Sequence, residues 1–169
     1  YLGADLATRF QFVIMAILAA ALVSFFAGAR ARGDPALLDQ AWSAGDGTLP
    51  FWTVFAVFFP AVTGFTQGVS MSGDLADPAR SLSRGTFLAV GLSTVVYVAA
   101  IFALAGALPL DGMRADYGAM KRVASVTWLV DAGVLAATLS SALASFLGAP
   151  RILQALASDK LFAWLTPLG

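Results

Sequence analysis

The chain has 169 residues, of which 59% are hydrophobic and 12% charged, with zero formal net charge and a mean hydropathy of +0.82. Soluble domains carry about 25% charged residues, so this chain belongs in lipid. It has no cysteine and no histidine, which removes disulfides, thiolate nucleophiles, most zinc sites and any histidine base, and its charge balance leaves no basic footprint for nucleic acid.

Four uncharged or nearly uncharged stretches are each long enough to cross about 30 Å of hydrocarbon. The first span is expected at about residues 10–28, without a charge. The polar stretch from Arg30 to Pro50 follows and reads as an exposed connection. The second span is expected at about residues 51–73, within a run that has no charge from Gly47 to Gly73. It is broken near residues 60–66. Pro60 lacks a backbone donor and clashes with the preceding turn, and Gly64 and Gly68 lower helix propensity further. A kinked membrane helix is one reading, because Pro and Gly are tolerated in such helices. The other is the binding site of a secondary transporter, for which an interrupted span is the best sequence pointer.

Next comes Asp74 to Arg84, where Asp77 and Pro78 form a helix start: a capping acceptor, then a ring preset for the first turn. The third span is expected at about residues 85–108. A loop from Pro109 to Ser125 holds Asp111, Arg114, Asp116, Lys121 and Arg122. The fourth span is expected at about residues 126–149, with Asp131 near its start and no evident partner for it. A short amphipathic surface helix is expected over residues 151–163. The chain opens on Tyr1 rather than Met, and a fragment of a longer protein is expected.

Charge does not orient these spans. The side of the two termini holds Arg9, Arg80, Arg84, Arg151 and Lys160; the other holds Arg30, Arg32, Arg114, Lys121 and Arg122. The positive-inside comparison is therefore level.

The broken span carries chemistry without an ionised side chain. If its first half ends near Thr63, its last carbonyls lack partners and carry the negative end of the helix dipole. Those carbonyls and the Thr63 hydroxyl are oxygen ligands for a hard cation. If the second half starts near Phe65, the N–H groups of Gly64, Phe65 and Thr66 bring the positive end of a dipole to the same gap, which suits an anion. On the fourth span, Ala137, Ser141, Ser145 and Ala149 fall at i, i+4, i+8 and i+12. Such a stripe of small residues lets membrane helices pack closely. The Ala137 carbonyl with the Ser140 and Ser141 hydroxyls, three and four positions on, also forms an oxygen set for a small cation such as sodium. A third reading has the hydroxyls bonding back to their own helix.

These two regions resemble a known family. Phe58-Phe59-Pro60-Ala61-Val62-Thr63-Gly64 and Ser72-Gly73-Asp74-Leu75-Ala76-Asp77-Pro78 resemble the sixth helix and following loop of cation–chloride cotransporters. Leu139-Ser140-Ser141-Ala142-Leu143-Ala144-Ser145, then Ala149-Pro150-Arg151, is similar to their eighth helix and its exit. The resemblance implies an all-α transmembrane fold: a fragment, helices five to eight, of an inverted-repeat (five-plus-five helix) secondary transporter with one discontinuous helix. It implies potassium at Pro60 and Thr63, chloride at Gly64, Phe65 and Thr66, and sodium at Ala137, Ser140 and Ser141. The paired serine resembles the sodium-dependent members; Phe65-Thr66-Gln67 departs from the more aliphatic residues common there.

The function expected is chloride symport with sodium, potassium or both, in the plasma membrane, with both ends of the chain cytoplasmic. No cofactor is expected beyond the transported ions. Expected partners are the bilayer, inorganic ions, the missing helices of the parent chain and, as an open alternative, a second copy; nucleic acid is not among them. The rival functions are an amino acid permease of the same superfamily and a non-transporting membrane scaffold. An enzyme is not expected without His or Cys.

Overall fold

A computed structural model describes residues 2–43, 49–64, 75 and 77–160. Helices account for nearly all of them, and no strand occurs among the described residues. In chain order these are α1 (Leu2–Arg32), α2 (Pro35–Ser43), α3 (Phe51–Phe58) running into a 3-10 turn (Phe59–Val62), α4 (Pro78–Ala107), α5 (Leu110–Ala115), α6 (Ala119–Val123) and α7 (Thr127–Ser158). Among the described residues, three helices are long and apolar enough to cross a membrane, within Arg9–Arg32, Pro78–Ala107 and Thr127–Ser158. The second half of the expected broken span lies outside the described residues.

The connections hold more structure than their composition suggested. The polar stretch after α1 contains α2, which starts as a capped helix should. Asp34 Oδ1 accepts from Ala36 N at 2.9 Å, and Pro35 takes the first helical position, where its missing donor costs nothing. The loop expected over residues 109–125 contains α5 and α6. At the start of α4, Asp77 Oδ1 accepts from Arg80 N at 3.2 Å, so the Asp-Pro pair acts as read.

Where the fourth span is expected to end at residue 149 and a surface helix to follow over 151–163, one helix runs on; residues 161–163 lie outside the described residues. α7 runs through Pro150 to Ser158. Pro150 cannot donate to the carbonyl one turn back. In a lipid-exposed helix every other peptide group still gains most from its internal partner, so one lost bond does not end it.

Two compact units divide the chain. The first comprises Tyr1–Val54 and Ser93–Ser140; the second comprises Phe55–Leu92 and Ser141–Gly169. The core of the first unit is Phe25, Ala29, Ala107, Leu108 and Val123. Inside it, α1 and α7 run antiparallel and approach so closely that a Cβ on Gly133 would fall 2.8 Å from Ala21 Cβ. Small residues permit this in membranes, where packing rather than water expulsion holds helices together. Val130, Gly133 and Ala136 are buried on that face of α7.

One stripe of α1 fastens the entry to α7. Ser24, nearly buried, accepts from Val126 N at 2.8 Å and donates to Val126 O at 3.2 Å, while its own carbonyl accepts from Ser125 N at 3.0 Å. One turn on, Gly28 lies against the backbone of Val123 to Ser125. A further turn on, Arg32 Nη1 donates to the carbonyls of Arg122 and Val123. These are last-turn carbonyls of α6, which otherwise lack helical partners.

Candidate functional site

α3 follows directly on Pro50, whose carbonyl accepts from Thr53 N at 2.9 Å and Val54 N at 3.2 Å. It ends where Pro60 enters. The backbone tightens into the 3-10 turn Phe59–Val62, with Pro in its first positions, and Thr63 leaves in an extended conformation, φ −86° and ψ 178°. Gly64 follows at φ +96°, a region L side chains rarely adopt. The described helix thus ends at Pro60–Gly64, because Pro withholds a donor and Gly permits the positive φ.

The geometry brings two of the expected ligands together. Pro60 O accepts from Thr63 N at 3.3 Å and from Thr63 Oγ1 at 2.7 Å. The threonine hydroxyl lies against the carbonyl at the negative end of the turn. A hydroxyl rotates freely and has two lone pairs, so Thr63 can donate to Pro60 O or turn a lone pair outward beside it. Both residues are exposed in this chain. Gly64 is placed next to them, with open space where a Cβ would stand. Phe65 and Thr66 lie outside the described residues.

On α7 the three expected sodium ligands divide by face. Ser140 is half-buried, whereas Ala137 and Ser141 are exposed. Ser145 and Ala149, the rest of the small-residue stripe, are exposed as well. Within the described residues, the α7 face that packs is that of Val130, Gly133 and Ala136, not the stripe. Thr138 bonds back to its own helix, donating to Val134 O at 3.0 Å and Leu135 O at 2.9 Å. Ser140 bonds across to α1, where Gln11 Nε2 donates to its Oγ at 2.7 Å.

Asp131 has a partner that its sequence context did not reveal: Lys121 Nζ stands 2.6 Å from Asp131 Oδ2. A second pair joins Arg122 to Asp116 at 3.3 Å. Both lie on exposed side chains, where such a pair is worth about 0–1 kcal/mol. Gln11 and Ser24 were also missed. They are the polar side chains in the otherwise apolar run from Phe10 to Phe26, and uncommon polarity inside a span was the available signal.

Among the described residues, three membrane-length apolar helices and a shorter apolar helix that ends at Pro and Gly fit a multi-span membrane transport fold. The family model described as amino acid permease matches residues 1–168, and the chain belongs to that family. Over 171 residues it is 34% identical to solute carrier family 12 member 8 of Homo sapiens, covering 95% of this chain and 24% of that protein. It is 30% identical over 214 residues to solute carrier family 12 member 2 of Squalus acanthias, covering 96% of this chain and 18% of that protein. To solute carrier family 12 member 1 of Mus musculus it is 29% identical over 216 residues, with shares of 96% and 20%. These relatives place the chain with the cation–chloride cotransporters its two motifs resemble. They are solute carriers, not enzymes, and with the apolar helices they make this an integral membrane protein. The chain spans about a quarter or less of their length.

Proposed function

We propose that this chain is part of a secondary active symporter that carries chloride with sodium, potassium or both across the plasma membrane. The observation that carries this reading is the break after Val62: a helix end, a threonine hydroxyl 2.7 Å from the Pro60 carbonyl, and a glycine at φ +96°, all without an ionised group. Potassium is bound by the Pro60 carbonyl and Thr63. Chloride is bound by the N–H groups of Gly64, Phe65 and Thr66. Sodium is bound by the Ala137 carbonyl with Ser140 and Ser141. The exposure of Ala137 and Ser141 suits a site completed by the missing helices of a longer parent chain. Both ends of the present chain are cytoplasmic, and the ions are cargo rather than cofactors.

Ion flux in the full-length protein tests the reading. Thr63→Ala removes one oxygen ligand, and the potassium concentration for half-maximal chloride uptake is expected to rise about tenfold, as for loss of one bond to a charged group. Ser140→Ala with Ser141→Ala is expected to raise the sodium requirement by at least as much, with potassium dependence retained. Parental cation dependence in both variants would refute the assignments. The matching family model favours one alternative, an amino acid permease. Amino acid uptake that persists when sodium, potassium and chloride are withdrawn one at a time, with no chloride flux, would establish it instead.

A further inference from the structure

Two polar side chains interrupt the apolar run of α1 from Phe10 to Phe26. A polar group in hydrocarbon is costly unless it finds a partner. Ser24 has its partner in the backbone of Val126, which accounts for it structurally. Gln11 does not bond to backbone. Its Nε2 crosses to a side chain 129 positions away, the Ser140 hydroxyl, at 2.7 Å. Two hydroxyls on α7 thus differ: Thr138 is spent on its own helix, while Ser140 is held by an amide from another.

That contact bears on a cation. Ser140 Oγ has two lone pairs and one proton. Accepting from Gln11 uses one lone pair and leaves the other to face an ion. The carboxamide can also turn over, exchanging nitrogen for oxygen at nearly the same place. Ser140 then donates to Gln11 Oε1, and both of its lone pairs are available. In either orientation the amide sets the direction of Ser140 Oγ, and its own carbonyl oxygen is a neutral ligand of the hard type that small cations prefer. No fixed charge is placed in the span, so the empty site carries no uncompensated ion.

We propose that Gln11 determines sodium specificity: its carboxamide orients the Ser140 hydroxyl and adds an α1 oxygen to the site. This rests on the sodium reading of Ala137, Ser140 and Ser141 given above. The test is radiotracer uptake by the full-length protein, with sodium varied while potassium and chloride are saturating, normalised to the amount at the cell surface. Gln11→Met keeps the length of the side chain without its hydrogen bonding and is expected to raise the sodium concentration for half-maximal uptake about tenfold, with potassium and chloride half-saturation unchanged. Gln11→Glu keeps a reaching oxygen and is expected to stay within about threefold of the parent. Gln11→Asn, whose amide falls short by one methylene, repeats the methionine result if Gln11→Met is poorly delivered to the surface.

An unchanged sodium requirement in Gln11→Met or Gln11→Asn would overturn the proposal. So would a lower maximal rate alone, or an equal loss for all three ions, because these are the marks of a packing role. The serine variants separate the two ideas. Sodium dependence lost in Ser140→Ala with Ser141→Ala but untouched at Gln11 refutes only the role of Gln11. Sodium dependence untouched in all of them refutes the sodium site itself.

Discussion

Substitution of Gly28 is expected to leave almost no folded protein. A Cβ at that position would stand 2.0 Å from Val123 O, 2.6 Å from Ser125 N and 2.7 Å from the carbonyl carbon of Ala124. These neighbours are backbone, fastened on either side by Ser24 and Arg32, so they have no flexible end to swing away. Gly28→Ala is expected to cost about 3 kcal/mol, the upper part of the range for overpacking, and Gly28→Val more. The measurement is surface delivery together with the thermal midpoint of the detergent-solubilised protein. Gly33→Ala is the control. Its Cβ would meet Ala29 O at 3.4 Å and Arg30 O at 3.6 Å, an ordinary contact, and it is expected to behave as the parent. A Gly28→Ala protein with parental midpoint and delivery would mean that α1 does not grip the α6–α7 connection as described.

The second large effect is at Gly64, and it has a different physical origin. There a Cβ would meet nothing within 4 Å, so no clash is involved. The cost is the φ of +96°, which a β-branched residue tolerates worst. Gly64→Val is expected to strain the turn by about 1–3 kcal/mol and to pull Thr63 away from its present direction. On the proposed reading this raises the chloride concentration for half-maximal uptake about tenfold or more. The order of substitutions is diagnostic. Asparagine, which enters positive φ more readily than other side chains, is expected to retain more chloride affinity than alanine, and alanine more than valine. Equal affinities across the series, or parental chloride affinity in Gly64→Val, would place the anion elsewhere.

The two glycines show what is local and what is not. The helix end at Pro60–Gly64 was readable because each cause sits in one residue: a ring without a donor, and a residue without a Cβ. The start of α4 was readable for the same reason, since Asp77 and Pro78 satisfy and shape the first turn from within four positions. Nothing around Gly28 in the sequence signals its role. Its neighbours lie almost a hundred positions away, and the residue reads as the end of an apolar run. The partners of Asp131 and Gln11 were hidden likewise, because Lys121 and Ser140 meet them through helix placement rather than spacing.

The small-residue stripe illustrates the same division within one helix. Period alone put Ala137, Ser140 and Ser141 on neighbouring positions and allowed packing, cation binding or back-bonding for the hydroxyls. Tertiary placement sorted them: Ser140 turns toward α1 and Gln11, while Ala137 and Ser141 stay exposed.

Residue chemistry alone was therefore enough to establish a lipid environment, helices of membrane length and the place where the helix after Pro50 ends, since hydropathy and backbone donors act within a few positions. Which helices touch, which hydroxyl faces which amide, and which glycine is indispensable were settled only when α1, α6 and α7 came together, because those contacts depend on the rotation and height of each helix.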